Sequence, residues 1–234
     1  MNIRLLLVGI VVAAAAGCSS PDHAISTPLS SSALSSVKSG TDQQVAQAAI
    51  LNQQDMGPDY RATPFTPDAQ YNADDAAFNA CLGRPSSPMH DKAKIFSPTF
   101  TEDFQVILGT VTIVDTNDTA QADIAALRDT PKAVSCLHDS MITLLNRSGG
   151  SSQVAVSQVS PPPGGADVDA VAYRLQILAD ADGQRTPLVV DMVNAVKGRA
   201  EIAISFQDLN QPLSAEIQDR AVRTMLDRLT TGGR

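Results

Sequence analysis

Ser135-Cys136-Leu137-His138-Asp139 sets a thiol, an imidazole and a carboxylate within four positions. A thiol relieved of its proton by an imidazole is a nucleophile. The spacing works against that chemistry, because helical side chains two apart diverge while those three or four apart meet. His138 therefore reads as a surface or packed histidine. His90, in Ser-Ser-Pro-Met-His-Asp-Lys, reads as a solvated loop residue, and His23 as a solvated residue of a Ser/Pro-rich stretch. Asp115, Asn117 and Asp118 resemble the start of a calcium loop but lack its glycine and distal glutamate, so they read as helix-capping residues. Gly149-Gly150-Ser151-Ser152 has no lysine to hold a phosphate, and Gly-x-Ser-x-Gly is absent. Asp74-Asp75 suits the first turn of a helix, Asp180 and Asp182 a hairpin tip, and Arg199 a solvated turn. The expectation is no catalytic residue, no metal and no cofactor. An enzyme acting on cell-envelope material would need His90, His138, Asp139 and Asp191 in one pocket.

The third cysteine has different surroundings. Arg4 precedes an apolar run, Leu5–Ala16, which is too short to span about 30 Å of hydrocarbon and ends in Ala15-Ala16-Gly17-Cys18. Small residues before a cut, and a thiol immediately after it, resemble the bacterial lipobox, with Ala15 at the position where leucine is commonest. What the resemblance implies is diacylglycerol on Cys18. Two acyl chains suffice for stable anchoring. Residues 19–42 are rich in Ser, Thr and Pro and poor in large apolar side chains, the composition of a tether. The predicted organisation is a signal peptide over 1–17, a tether over 18–42 and one domain over 43–234. The expected location is the outer face of the cytoplasmic membrane, with the membrane as a partner through the lipid. In such a chain the remaining pair, Cys81 and Cys136, predicts one disulfide; neither lies in a C-x-x-C motif.

The 234 residues carry a net charge of −8 with no basic cluster, which argues against nucleic acid. Tryptophan is absent and aromatics are 4%, so the core must be aliphatic and a base- or sugar-stacking groove is not expected.

The patterning predicts the elements that place these residues. One helix covers 41–56, capped by Thr41 or Asp42, with Val45, Ala48, Ala49 and Leu51 on its inner face. A Pro-rich stretch after it reads as irregular. A second helix covers 73–83, stopped by Gly83, with Ala77, Phe78, Cys81 and Leu82 inward. Residues 95–103 read as a broken edge strand and 104–115 as a strand. Helices follow over 116–129 and from Pro131 to Gly149. Strands are expected over 152–160, 168–180, 185–196 and 200–208, with Val171, Tyr173, Leu175 and Ile177 on one face and Ala200, Ile202, Ile204 and Phe206 inward. An Asp182-Gly183 hairpin and a positive-φ Gly198 turn join the later strands. A closing helix from Ser214 buries Ile217, Ala221, Met225 and Leu229 and sends Glu216, Asp219, Arg220, Arg223 and Asp227 to water. The sum is an α+β fold: a single α/β/α sandwich around a five- or six-stranded, mainly antiparallel sheet.

In order, "ILNQQDMGPDYRATPFTPD", "AFNACLG", "FSPTF", "AVSCLHD", "YRLQI", "VKGRAEIAISF" and the closing helix resemble actinobacterial envelope lipoproteins with a PsbP-like sandwich. They are also similar to the extracellular sensor domain of mycobacterial Ser/Thr kinases of the PknH type. The resemblance covers roughly residues 43–230 and implies an exported, non-enzymatic domain, with no functional residues to carry over. The expected function is a lipid-anchored binding or accessory module for an apolar ligand or an envelope protein partner. The alternatives are an envelope enzyme and a sensor domain acting through a membrane partner.

Overall fold

The computed structural model describes residues 41–84, 90–147, 151–181 and 184–231. The lipidation candidate Cys18, the signal segment and all but the end of the tether lie outside the described residues, as do Gly149, Gly150, Asp182, Gly183 and the side chain of Asp180.

The chain begins with two helices rather than the one expected: α1, Asp42–Ala49, and α2, Gln53–Met56. The break comes from Asn52, whose side chain accepts the Gln54 N–H at 2.9 Å while Asp55 accepts the Asn52 N–H at 2.8 Å, a capping box that starts a new helix. Thr41 caps α1 in the same way with Gln44. Ala46 and Ala49 face the core; Ala48, expected inward, is exposed. Arg228 holds the joint by donating to the Ile50 carbonyl at 3.0 Å and to Asp55 at 2.6 Å. Asn52→Ala should lower the unfolding free energy by about 1 kcal/mol. The check is a lower urea midpoint with an unchanged slope.

Strand β1, Arg61–Thr63, lies in the stretch expected to be irregular. It is too short to show alternation, and Gln53 pins it by donating to the Tyr60 carbonyl at 2.6 Å and accepting the Ala62 N–H at 3.2 Å. Helix α3, Ala69–Leu82, starts earlier than predicted because Asp68 accepts the Tyr71 N–H at 2.7 Å. It stops at Gly83, φ 74°, as expected. Cys81, expected inward, is exposed. The remaining elements are β2 Asp91–Phe96, β3 Thr99–Glu102, β4 Gln105–Val114, α4 Asn117–Arg128, α5 Thr130–Arg147, β5 Ser151–Val159, β6 Asp169–Ala181, β7 Gln184–Lys197, β8 Ala200–Leu209 and α6 Ala215–Thr231.

All eight strands join one antiparallel sheet in the order β1-β3-β4-β8-β7-β6-β5, with β2 beside β3 along the same edge of β4. The count exceeds the predicted five or six because β1 was too short to read and the broken edge strand is two strands. Pro98 separates β2 from β3, and the Ser97 hydroxyl accepts the Gly109 N–H at 2.9 Å at the break.

Both faces of the sheet are covered. On one, Ala200, Ile202, Ile204 and Phe206 of β8 pack with Ala46, Leu51, Met56 and the apolar side of α6. On the other, Val171, Tyr173, Leu175 and Ile177 of β6 pack with Ile124, Leu127, Cys136, Leu137 and Leu145 of α4 and α5. The two apolar faces predicted for β6 and β8 therefore belong to different cores, the arrangement of an α/β/α sandwich.

Candidate functional site

Helices α3 and α4 do not fully close over β2, β4, β8 and β7. They leave a cleft of about 200 Å³. Thr110, Thr112, Asn194 and Glu201 line it from the sheet, with Asp75, Phe78, Asn79 and Asp123 from the helices and His90 and Lys94 beside them.

Arg84 is placed there by the end of α3. The Gly83 N–H donates to the Ala80 carbonyl at 3.0 Å and the Arg84 N–H to the Asn79 carbonyl at 2.9 Å, a Schellman pair that only a left-handed residue at Gly83 permits cheaply. The Arg84 side chain then donates through Nε to Asp123 Oδ1 at 3.0 Å and through Nη2 to Glu201 Oε2 at 3.4 Å. One guanidinium thus ties α3 to α4 and to β8. Burial works against its charge, but the bond to Asp123 and the attraction of Asp123 and Glu201 outweigh this and hold it protonated.

Glu201 sits opposite Thr112 on β4 and Val196 on β7. Its carboxyl is pushed up to about 8, first by burial and then, against the pull of Arg84, by the negative neighbours Asp123 and Asp91. No N–H or O–H donor reaches its buried Oε1 among the described residues. Lys94 pairs with Asp75 at 2.9 Å and lies over the Phe96 ring. Tyr71, in a three-ring cluster with Phe65 and Phe96, has its hydroxyl pKa raised by burial.

His90 is half-buried at the cleft rather than solvated, with Nδ1 2.9 Å from Asp115 Oδ2. The Thr119 hydroxyl donates to the other Asp115 oxygen at 2.7 Å. The bond from His90, then that from Thr119, hold Asp115 down at about 2. Thr116 caps α4, its hydroxyl accepting the Thr119 N–H at 3.0 Å.

The other candidates are scattered. Cys136 is joined to Cys81, with Cα atoms 5.8 Å apart, and carries no thiol. His138 is partly exposed on α5, with Nδ1 3.0 Å from Oδ1 of its neighbour Asp139. Asp191 faces the opposite core, held by both forks of Arg174 at 2.7 and 2.8 Å and by Gln218 at 2.8 Å. Of His90, His138, Asp139 and Asp191, only His90 lines this cleft. Asp74 and Asp75 lie beyond the first turn of α3 and pair with Arg147 and Lys94 instead of the helix dipole. Arg199 is not a free turn residue: it pairs with Asp42 at 2.6 Å and donates to the Val114 carbonyl at 3.0 Å. Among the described residues no three His, Cys, Asp or Glu side chains converge on a metal position, and no helix is long and apolar enough to cross a membrane.

Fold and cleft together define an antiparallel α/β/α sandwich with a pocket of charged and apolar side chains under one helical layer. No family model matches the chain, and no curated protein matches it. Among solved structures, the extracellular domain of PknH from Mycobacterium tuberculosis is similar to it with a TM-score of 0.49 and 9% sequence identity, covering 84% of this chain and 100% of that one.

Arg84, Lys94, Asp123 and Glu201 were not singled out from the sequence. One signal was present: Asp123 falls between Ala120, Ile124 and Leu127 on the buried side of α4. A carboxylate on an apolar stripe needs a partner.

Proposed function

We propose that the protein is an extracytoplasmic binding module, anchored through lipid on Cys18, that takes a small polar ligand in the cleft between α3, α4 and the sheet and acts without catalysis. The observation that carries this reading is the convergence of Arg84, Lys94, Asn194, Asp123 and Glu201 on one cavity. Convergent polar groups in a concave site are the general mark of ligand recognition. Phe78, Ile124, Leu127 and Met192 also line the cleft, so a ligand there meets an apolar wall beside the polar groups that orient it. At about 200 Å³ it suits a molecule below drug size. The signal-like N-terminus and the lipobox-like Ala-Ala-Gly-Cys support the location and the anchor.

Two measurements test it. Labelled palmitate should appear on the full chain and vanish in Cys18→Ser, which should leave the membrane fraction. Native mass spectrometry of protein drawn gently from the envelope should show a small polar adduct, weakened about tenfold in Lys94→Ala. A bare mass, or an adduct indifferent to Lys94→Ala, would remove the cleft from consideration as the ligand site.

A further inference from the structure

We infer that Glu201 and Asp123 hold one proton between them beneath Arg84, so that this pair carries one carboxylate charge at neutral pH and gains a second only in alkaline solution. The geometry asks for it. Two carboxyl groups from different elements, α4 and β8, converge on a single guanidinium. The Glu201 contact is the longer, 3.4 Å against 3.0 Å, so Asp123 takes the stronger part of the positive charge. The buried Oε1 of Glu201 meets no donor among the described residues. A buried carboxylate oxygen without a donor is costly. Protonation of Glu201 removes that cost, because a neutral carboxyl is far cheaper to bury than a carboxylate and its O–H can donate to the acid that shares its guanidinium.

The groups around the pair reinforce it. From α3 come Asp75 and, just past its end, Arg84; from α4 comes Asp123. Strand β2 offers Asp91 and Lys94, the latter already paired with Asp75. Strands β4 and β7 present only the neutral Thr110, Thr112 and Asn194, and His90 is engaged by Asp115. Among the described residues that line the cleft, Arg84 is the cation these two acids share, and one guanidinium cannot offset both in a low-dielectric site. The upward displacement of Glu201 agrees in direction and cause.

The shared proton stands whether or not anything enters the cleft. Its consequence for binding rests on the function proposed above: with the proton in place the Arg84–Asp123–Glu201 group is neutral, and when the proton leaves it is negative. A ligand carrying an ammonium group is therefore favoured on the alkaline side, and an anionic one on the acid side.

The chain has three glutamates, Glu102, Glu201 and Glu216, so selective ¹³C labelling of glutamate carboxyls in the full, ligand-free protein gives three titrating signals. One is expected to titrate near pH 8 and to be missing in Glu201→Gln. In Asp123→Asn its midpoint should fall by at least about one pH unit, a tenfold change in proton affinity. All three signals titrating below about pH 6 would overturn the shared proton. The wild-type titration alone decides this if a variant does not fold. Because it is made without ligand, it also separates this inference from the binding reading.

Stability gives a second readout. A carboxyl raised on folding contributes stability that is fully present below its unfolded value and is lost as pH rises through its folded value. Wild-type melting temperature should therefore fall between about pH 5 and about pH 8 more steeply than that of Glu201→Gln. Parallel profiles would count against the inference.

Discussion

Replacing Cys81 and Cys136 together by alanine is expected to lower the melting temperature by about 10 °C. The cysteines are 55 residues apart, and closing a loop of that length removes unfolded-state entropy worth about 4 kcal/mol. The effect should be uneven. The disulfide joins the last turn of α3 to α5, and α3 has little else to hold it: within the helix only Asn79 and Leu82 are buried. Its remaining ties are Arg84, the Asp74–Arg147 and Asp75–Lys94 pairs, the half-buried Phe78, and Tyr71 packed against Phe65 and Phe96. Amide exchange over residues 69–84 should accelerate first, while the opposite layer of α1, α2 and α6 keeps its protection. Cys81 is exposed although its partner Cys136 is buried, so a soluble reductant should reach the bond in the native protein. Equal melting temperatures with and without reductant, at confirmed reduction, would show that the bond contributes nothing.

Arg174→Ala should cost about 3 kcal/mol. Asp191 lies on β7 with its side chain 2% exposed, and both of its oxygens are taken by the guanidinium fork at 2.7 and 2.8 Å. Truncating the arginine leaves a buried carboxylate with one remaining donor, Gln218, which also donates to the Leu213 carbonyl at 2.9 Å and so links the sheet to the start of α6. Most of the expected loss is the cost of stranding Asp191, since Arg174 itself is partly exposed. The diagnostic is a double-mutant cycle: Arg174→Ala with Asp191→Ala should cost clearly less than the sum of the single changes. Strict additivity would mean that the fork carries no coupling. Arg174→Lys should recover only part of the loss, because an ammonium cannot make two parallel bonds to one carboxylate.

Sequence patterning revealed the later half of the fold well. Strands β5 to β8 are rich in β-branched residues, β6 to β8 follow one another through tight turns, and Gly198, φ 60°, turns the chain where its sequence suggested. Helix starts were less legible wherever a side chain decides them. Asn52 breaks a run that is helical by composition, and Asp68 begins α3 a turn before the apolar stripe becomes regular. Strand β1 could not be read, because three residues show no period and its pairing depends on the distant Gln53 amide. The cleft was invisible for a different reason. Its residues come from α3, the segment after it, α4 and four strands, and each alone has an ordinary surface explanation. Glu201 alternates with inward-facing Ala200 and Ile202, which on a one-sided sheet would place it in water. Only the second helical layer turns that position into a buried one.

The Asp42–Arg199 clip fixes where the N-terminal chain reaches the folded body: at the β7–β8 turn, on the rim of the sheet where Val196 and Glu201 lie. The opposite rim, where Ala181 pairs with Gln184, is the length of β7 away, fourteen residues or about 45 Å. Moored by lipid on Cys18 as proposed above, the protein would keep its cleft on the near side and extend its long β6–β7 ribbon outward. A reporter grafted at the far rim would stand clear of both the mooring and the pocket.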